Sequence, residues 1–188
     1  MNKNLKIIII SGLILIVGAL SIAYATLGQT LNVTGTAQVT GNTWNVKFGT
    51  PSCTSSGTGA NKGTISVSGT TVTLKDVVLA LPGDSVTCTV PVTNGGTLDA
   101  KLKTFTPKTP TYTGTGSTAT NDKTTVTNNT TYTVTYDGSA SPSLPVTLTA
   151  GATKNVIVKI EYKSTATAIP TGNVTIGNMG ATLVYSQA

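Results

Sequence analysis

The feature that most constrains the fold is a two-residue alternation of apolar and polar side chains, repeated in many short segments. In SVTCTVPVT, residues 85–93, the valines and the cysteine all fall on one face. The segment TKNVIVKIEYK, residues 153–163, alternates in the same way. Because successive side chains of a strand point to opposite faces, this period indicates half-buried β-strands. No segment after residue 25 shows a convincing helical period.

Composition and turn residues support an all-β chain. Thr makes up roughly a fifth of the 188 residues, and β-branched residues favour strands. Gly and Pro turns separate about ten short strands, which predicts one β-sandwich of jelly-roll or Greek-key type, preceded by an apolar leader helix. The strands are predicted at residues 27–39, 44–48, 64–68, 71–79, 85–93, 97–105, 131–136, 144–150, 153–163, 174–177 and 180–188. The sandwich domain is assigned to residues 41–188.

Two segments interrupt this pattern. Residues 107–129 are polar and have no sustained period, and they are too long for an ordinary hairpin loop. We therefore expect a surface excursion with short strands. A second loop, STATAIPTGN, covers residues 164–173. In a monomeric adhesin, these two loops would carry the ligand site.

Residues 1–25 have the order of a secretory signal peptide. A basic start with Lys3 and Lys6 precedes an uncharged apolar run, and Ala23 and Ala25 then form a small-x-small cleavage site. We predict cleavage by signal peptidase after Ala25, which gives a secreted protein of the extracellular space or cell surface. The apolar run is almost long enough to span a bilayer, so a retained membrane anchor is the alternative. The membrane is contacted only through this leader.

Export changes what the cysteines imply. The chain has two, Cys53 and Cys88, and an even pair in an exported protein predicts one disulfide. Cys88 lies on the apolar face of a predicted strand, whereas Cys53 lies in a predicted loop. The bridge would therefore tie a loop to a core strand. Two unpaired thiols are the alternative.

The polar residues offer no catalytic or metal-binding constellation. The chain has no His, which excludes His-based triads and His zinc sites. Its six acidic residues are isolated from one another in the sequence, and no G-x-S-x-G motif is present. All basic residues are scattered lysines, whereas nucleic-acid sites favour clustered Arg. We expect no enzyme activity, no cofactor and no nucleic-acid partner.

The segment after the leader, residues 26–40, is a long amphipathic strand with no obvious local partner. Within this segment the predicted strand begins at Leu27. Its alternate positions form one face, with Leu31, Val33, Gly35, Ala37 and Val39. Thirteen extended residues span roughly 43 Å, enough to cross a sandwich and reach a neighbour. In the sheet of another subunit, its main-chain groups would be hydrogen-bonded and its apolar face would be buried. Pairing within its own domain is the alternative.

Several of these segments together resemble a known group of exported proteins. They are the leader ending in SIAYA, the strand directly after it, the central LPGDSVTCTVPVTNGGTLDAKL and the closing GATLVYSQA. These resemble the TasA/camelysin-like group of exported bacterial proteins and, more loosely, archaeal surface-filament subunits. The resemblance covers the leader, the first strand and the central hairpin.

The resemblance implies a jelly-roll subunit of an extracellular filament or biofilm matrix fibre. Such a subunit polymerises head to tail by donor-strand exchange, in which the N-terminal strand completes the sheet of the next copy. Camelysin has been described as a metalloprotease, but this chain has no His, so that activity does not carry over. A monomeric cell-surface adhesin or carbohydrate-binding β-sandwich module is the alternative function.

Overall fold

The computed structural model describes residues 41–188, and Gly41–Ala188 form one compact unit. These residues contain twelve strands and one helix. The elements are β1 (Val46–Phe48), β2 (Ser52–Ser56), β3 (Thr64–Ser68), β4 (Thr71–Lys75), β5 (Ser85–Asn94), β6 (Ala100–Pro107), β7 (Thr111–Gly114), α1 (Ala119–Asn129), β8 (Thr130–Tyr136), β9 (Val146–Leu148), β10 (Thr153–Tyr162), β11 (Val174–Gly177) and β12 (Met179–Gln187).

The first sheet is built on the two longest strands. Its order is β1-β5-β10-β8, and β2 also pairs with β5, below β1. Phe48 of β1 lies opposite Val92, and Ser52 of β2 lies opposite Thr89. Pro91 falls in the gap between these two short strands. At this position no strand of residues 41–188 offers an acceptor, so the missing N–H of Pro91 costs no ladder hydrogen bond. A proline inside a central strand is accommodated in this way.

The second sheet has the order β3-β4-β12-β6-β9, and β7 pairs with β11 in a separate two-stranded sheet. Among the described residues, every strand pair in both sheets is antiparallel. The upper end of the sandwich is defined here by the β5–β6 connection, residues 95–99, where β12 also ends. The lower end is defined by the turn before β5, residues 81–84.

Both sheets contribute to one hydrophobic core, as an all-β sandwich requires. On β5, the alternating residues Val86, Cys88, Val90 and Val92 are buried, as the sequence predicts. The rest of the core comes mainly from β4, β6, β10 and β12, and includes Leu74, Leu102, Val156, Val158, Ile160, Tyr162, Met179 and Leu183. The all-β prediction is confirmed, and the two sheets face each other across this core.

The prediction of only short strands in residues 107–129 is incomplete. This segment contains the short strand β7 but also the helix α1. The helix has almost no apolar face, so no helical period marks it in the sequence. It is held instead by burial of Val126 and of Asp122, and by side chains such as Asn129 that bond backward to the preceding turn.

Some predicted strand limits also differ. The strand predicted at residues 71–79 ends at Lys75, because Asp76 takes a left-handed conformation with φ of 59°. The strand predicted to start at Trp44 starts at Val46. The predicted leader helix and the strand at residues 27–39 lie outside the described residues.

Candidate functional site

The edge of β12 that faces β4 is covered along only part of its length. The two strands pair up to Thr182, and the N–H of Leu183 donates to the carbonyl of Thr70 at 2.9 Å. The β3–β4 hairpin turns there, at Gly69, whose φ of +54° suits a residue without a side chain. Among the described residues, positions 184–187 of β12 have a partner strand only on the β6 side.

The uncovered edge carries main-chain groups that have no partner strand among the described residues, although the Ser186 hydroxyl donates to the carbonyl of Gln187 at 3.1 Å. In a strand, the N–H and C=O of every second residue point to the same side. Leu183 donates toward β4, and Ala188 donates to Asp99 on the β6 side. The N–H and C=O groups of Tyr185 and Gln187 therefore point to the uncovered side. This is the main-chain surface that an added strand requires.

A groove between the two sheets lies beside this edge. Val46 and Phe48 of β1 form its wall in the first sheet, and Leu183 and Tyr185 of β12 form its wall in the second. Val92 forms its floor, and the β3–β4 turn closes its lower end. The cavity has a volume of about 100 Å³. The groove is therefore narrow and mostly apolar.

Two large apolar side chains at the mouth of this groove are exposed. Trp44 is 46% exposed and Val184 is 43% exposed. Trp44 belongs to the extended run before β1, where Thr43 accepts a hydrogen bond from the N–H of Thr97 at 2.9 Å. Both residues line the same groove. The groove, its uncovered β12 edge and these two residues are called the edge groove below.

The disulfide predicted from the sequence is present. Cys53 and Cys88 face each other on β2 and β5, with a Cα–Cα distance of 4.0 Å. The prediction that Cys53 lies in a loop is wrong, because residues 52–56 pair with β5 as a strand. The bridge fastens the short edge strand β2 to the central strand of its sheet, directly below the edge groove.

Tyrosine hydroxyls connect the two sheets across the core. The hydroxyl of Tyr185 donates to that of Tyr136 at 2.8 Å, and Tyr132 bonds both the N–H and the carbonyl of Gly180. Burial raises the pKa of Tyr132 to about 12 and also raises the pKa values of Tyr136 and Tyr185. These hydroxyls are therefore neutral structural groups at ordinary pH.

The edge groove is suited to binding and not to acid–base chemistry. Lys47 is the one ionisable amine or carboxylate among the residues that line it. Within residues 41–188 there is no group of three or more potential metal ligands. What the site offers is main-chain hydrogen bonding next to an apolar groove.

Most of the residues predicted as functional fall elsewhere in the chain. The polymerisation strand, with Leu27, Leu31, Val33, Gly35, Ala37 and Val39, and the cleavage residues Ala23 and Ala25 lie outside the described residues. Of the predicted site residues, the structure brings together Cys53 and Cys88. Sequence reasoning missed Trp44, Val184 and Tyr185. The one signal for Trp44 is that it is the single Trp of the chain and follows a Gly-Asn break.

Comparison with known proteins found no match among family models, curated proteins or solved structures. In the part of the chain that the structure describes, no helix has the length and apolar character needed to cross a membrane.

Proposed function

We propose that the protein is a non-enzymatic structural subunit of an extracellular filament or biofilm matrix fibre. In this proposal the strand at residues 26–40 of one copy enters the edge groove of the next. The observation that carries the proposal is the uncovered edge of β12 beside an exposed apolar groove. A free strand edge is a template for pairing with another chain, and natural proteins normally protect such edges.

The N-terminal strand matches the groove in chemistry. Leu31, Val33, Gly35, Ala37 and Val39 lie on one face of it, and the short uncovered edge of β12 accommodates the C-terminal part of that face. Val39 contributes about 1.5–3 kcal/mol when fully buried, before the cost of ordering. Gly35 on the same face suits a narrow groove, since it needs no space for a side chain. The main chain of the incoming strand pairs with the main chain of Tyr185 and Gln187, in place of the local bond from the Ser186 hydroxyl to the Gln187 carbonyl. Strand addition thus uses both properties of the site.

The geometry favours a strand from a second copy over the chain's own. A strand antiparallel to β12 would end with Val39 beside Leu183, at the lower end of the groove. The next residue whose position is fixed is Thr43, which the N–H of Thr97 holds by a hydrogen bond at the upper end of the groove. Four Cα–Cα steps span at most about 14 Å. The required path is longer, about 13 Å along β12 combined with about 10 Å between the sheets.

In this register the chain's own strand would have to run parallel to β12. Since the strand pairs of both sheets are antiparallel among the described residues, we assign the antiparallel position to a neighbouring copy. Such a contact joins two different surfaces of the same protein, so it propagates into a fibre instead of closing.

Two further features are consistent with this proposal. From β4 onward, most successive strands alternate between the two sheets, as β5, β6, β8, β9 and β10 do, which supports the jelly-roll or Greek-key assignment. The Cys53–Cys88 disulfide is consistent with an oxidising compartment and hence with secretion.

The first experiment compares the chain that starts at Thr26 with one that starts at Gly41. We expect concentration-dependent fibres from the longer chain in electron micrographs, and a folded monomer from the shorter one. The shorter chain keeps the groove but has no strand to donate, so adding it to the longer chain should shorten the fibres. If the shorter chain forms the same fibres alone, assembly through residues 26–40 is excluded.

The second experiment tests the acceptor edge. In Gln187→Pro the N–H that faces the uncovered side of β12 is removed, while the pairing of β12 with β6 keeps its own hydrogen bonds. We expect loss of fibres with little change in the stability of the domain. Gln187→Ala retains the N–H and should assemble normally. Normal fibres from Gln187→Pro would exclude this edge as the acceptor without excluding a filament.

The alternative function is a monomeric adhesin or carbohydrate-binding module. The same two protein chains distinguish it from a filament subunit. It is expected to give a monomer by light scattering at every concentration, with no role for residues 26–40 in self-association.

A further inference from the structure

A second site lies at the lower end of the sandwich, away from the edge groove. A cleft of about 470 Å³ separates the segment Val78–Ala80, between β4 and β5, from residues 170–175, and Val126 of α1 also lines it. This volume lies within the range of small-molecule sites, about 300–1,000 Å³. The loops predicted at residues 107–129 and 164–173 meet at this cleft.

The first wall is held by a buried carboxylate. Asp84 is 1% exposed and accepts hydrogen bonds from the N–H groups of Ala80 and Leu81, at 2.9 and 2.8 Å. It also accepts one from Gly59 at 3.3 Å. Val78 in turn exchanges both main-chain hydrogen bonds with Asn61. The backbone of this wall is therefore fixed, while the Val78 side chain stays 47% exposed.

The second wall is held in the same way. Asp122 on α1 is 4% exposed and accepts hydrogen bonds from the N–H groups of Thr171 and Gly172, at 2.7 and 3.0 Å. The hydroxyl of Thr118 also donates to it, and these bonds lower its pKa, the Thr118 hydroxyl most of all. Gly172 approaches so closely that an added Cβ would lie 2.9 Å from Asp122 Oδ2.

The two buried carboxylates hold opposite walls of the cleft. The buried polar and charged residues of the described chain are Asp84, Asn94 and Asp122, and two of them hold the opposite walls of one cleft. Burying a carboxylate is costly unless it is fully hydrogen-bonded. Walls that are fixed before binding reduce the ordering cost that a ligand must overcome. The cleft therefore has the construction of a preorganised binding site.

The lining selects the class of ligand. One wall is apolar, with Val78, Leu79 and Ala80, and the other presents the exposed amide of Asn173 and the exposed hydroxyl of Thr175. No charged side chain is among the lining residues. A sugar ring has a C–H face and a rim of hydroxyl groups, which matches these two walls. We propose that this cleft binds a neutral saccharide of one or two rings, whether or not the protein assembles into fibres.

The test is a titration of the folded chain from Gly41 with cellobiose and with N,N′-diacetylchitobiose, followed by amide chemical shifts. We expect saturable shifts at residues 78–80 and 171–175 with a dissociation constant in the millimolar range or below. Asn173→Ala removes a hydrogen-bonding group at the surface of the cleft and should weaken binding about fivefold or more. Asn155→Ala, an exposed amide on β10, is the matched control and should bind normally.

Two results would overturn the proposal. One is the absence of saturable shifts with both disaccharides. The other is a set of shifts that Asn173→Ala leaves unchanged, because binding would then occur elsewhere on the surface. Neither result bears on fibre assembly, which depends on a different edge of the molecule.

Discussion

The side of the sandwich that carries β1 and β2 is completed differently in its lower and upper halves. In the lower half, β2 covers the edge of β5 and the β3–β4 hairpin covers the edge of β12. In the upper half, β1 still covers β5, but β12 has no partner beyond Leu183 on that side among the described residues. Thus β5 is paired on both sides at both ends, whereas among the described residues β12 is paired on both sides only at the lower end.

This difference shows that an open groove can arise from chain topology without any special residue. The lower half needs both flanking hairpins to bury its core, and the disulfide fastens one of them. Among the described residues the upper half has one strand fewer, so apolar residues that a complete sandwich would bury are exposed at its edge. We therefore expect substitutions in the lower half to affect folding, and substitutions in the upper half to affect assembly.

The largest effect on folding is expected for Leu74→Ala. Leu74 is fully buried on β4, where it lies opposite Ile65 and Met179. Removing a buried Leu side chain in a tightly packed core costs about 2–5 kcal/mol. Urea unfolding of the chain from Gly41 should show a loss in this range. A loss below about 1 kcal/mol would mean that the lower half is as loosely packed as the edge groove.

The next effect is expected from removing the disulfide with Cys53→Ala and Cys88→Ala together. The bridge joins residues 35 positions apart and fastens β2 to β5. Loss of such a crosslink typically costs about 2–4 kcal/mol of unfolding free energy. The measurement is the urea midpoint of the double variant against the parent under oxidising conditions.

This double variant also separates the two halves. Because the bridge lies below the edge groove, the double variant should still form fibres under conditions in which its domain remains folded. If fibres are lost while the circular dichroism spectrum is unchanged, then β2 takes part in assembly and the division between the halves is wrong.

A smaller effect is expected at alkaline pH from Tyr132, which connects β8 to Gly180 of β12. Burial raises its pKa from 10.0 to about 12, so above pH 10 the unfolded chain loses this proton before the folded one does. Stability should therefore fall between pH 10 and 12, with a contribution of up to about 1.4 kcal/mol per pH unit from this residue. Tyr132→Phe should give a shallower decline. Equal slopes for both proteins would contradict the burial of this hydroxyl.

How much the sequence predicts depends on how each element is stabilised. The strands β5 and β10 are found almost as predicted, because alternation directly records which residues face the core. The helix α1 was missed because tertiary contacts hold it. The carboxylate of Asp122 meets residues 171–172 far along the chain, and no local pattern records that contact.

The edge groove could not be predicted for a similar reason. Val184 and Tyr185 belong to an ordinary alternating strand, and nothing in their sequence shows that the β3–β4 hairpin turns beside Leu183. The gap results from the lengths of two strands and the position of one turn, which are properties of the sheet. By contrast, the pairing of Cys53 with Cys88 was predicted from the number of cysteines and from the predicted export alone.

The smallest effect on folding, and the sharpest test of the comparison, is expected for Trp44→Ala. Replacing a buried Trp by Ala usually costs about 3–5 kcal/mol. Since Trp44 is 46% exposed at the mouth of an unfilled groove, we expect a loss below about 1 kcal/mol for the monomer, together with weaker fibres. Trp44 is the single Trp of the chain, so its emission should shift to shorter wavelength when the groove is filled on assembly. If the monomeric chain from Thr26 already shows the shifted emission, and Trp44→Ala costs several kcal/mol there, the chain's own strand fills the groove. The upper half would then be complete in the monomer, and strand exchange would lose its acceptor.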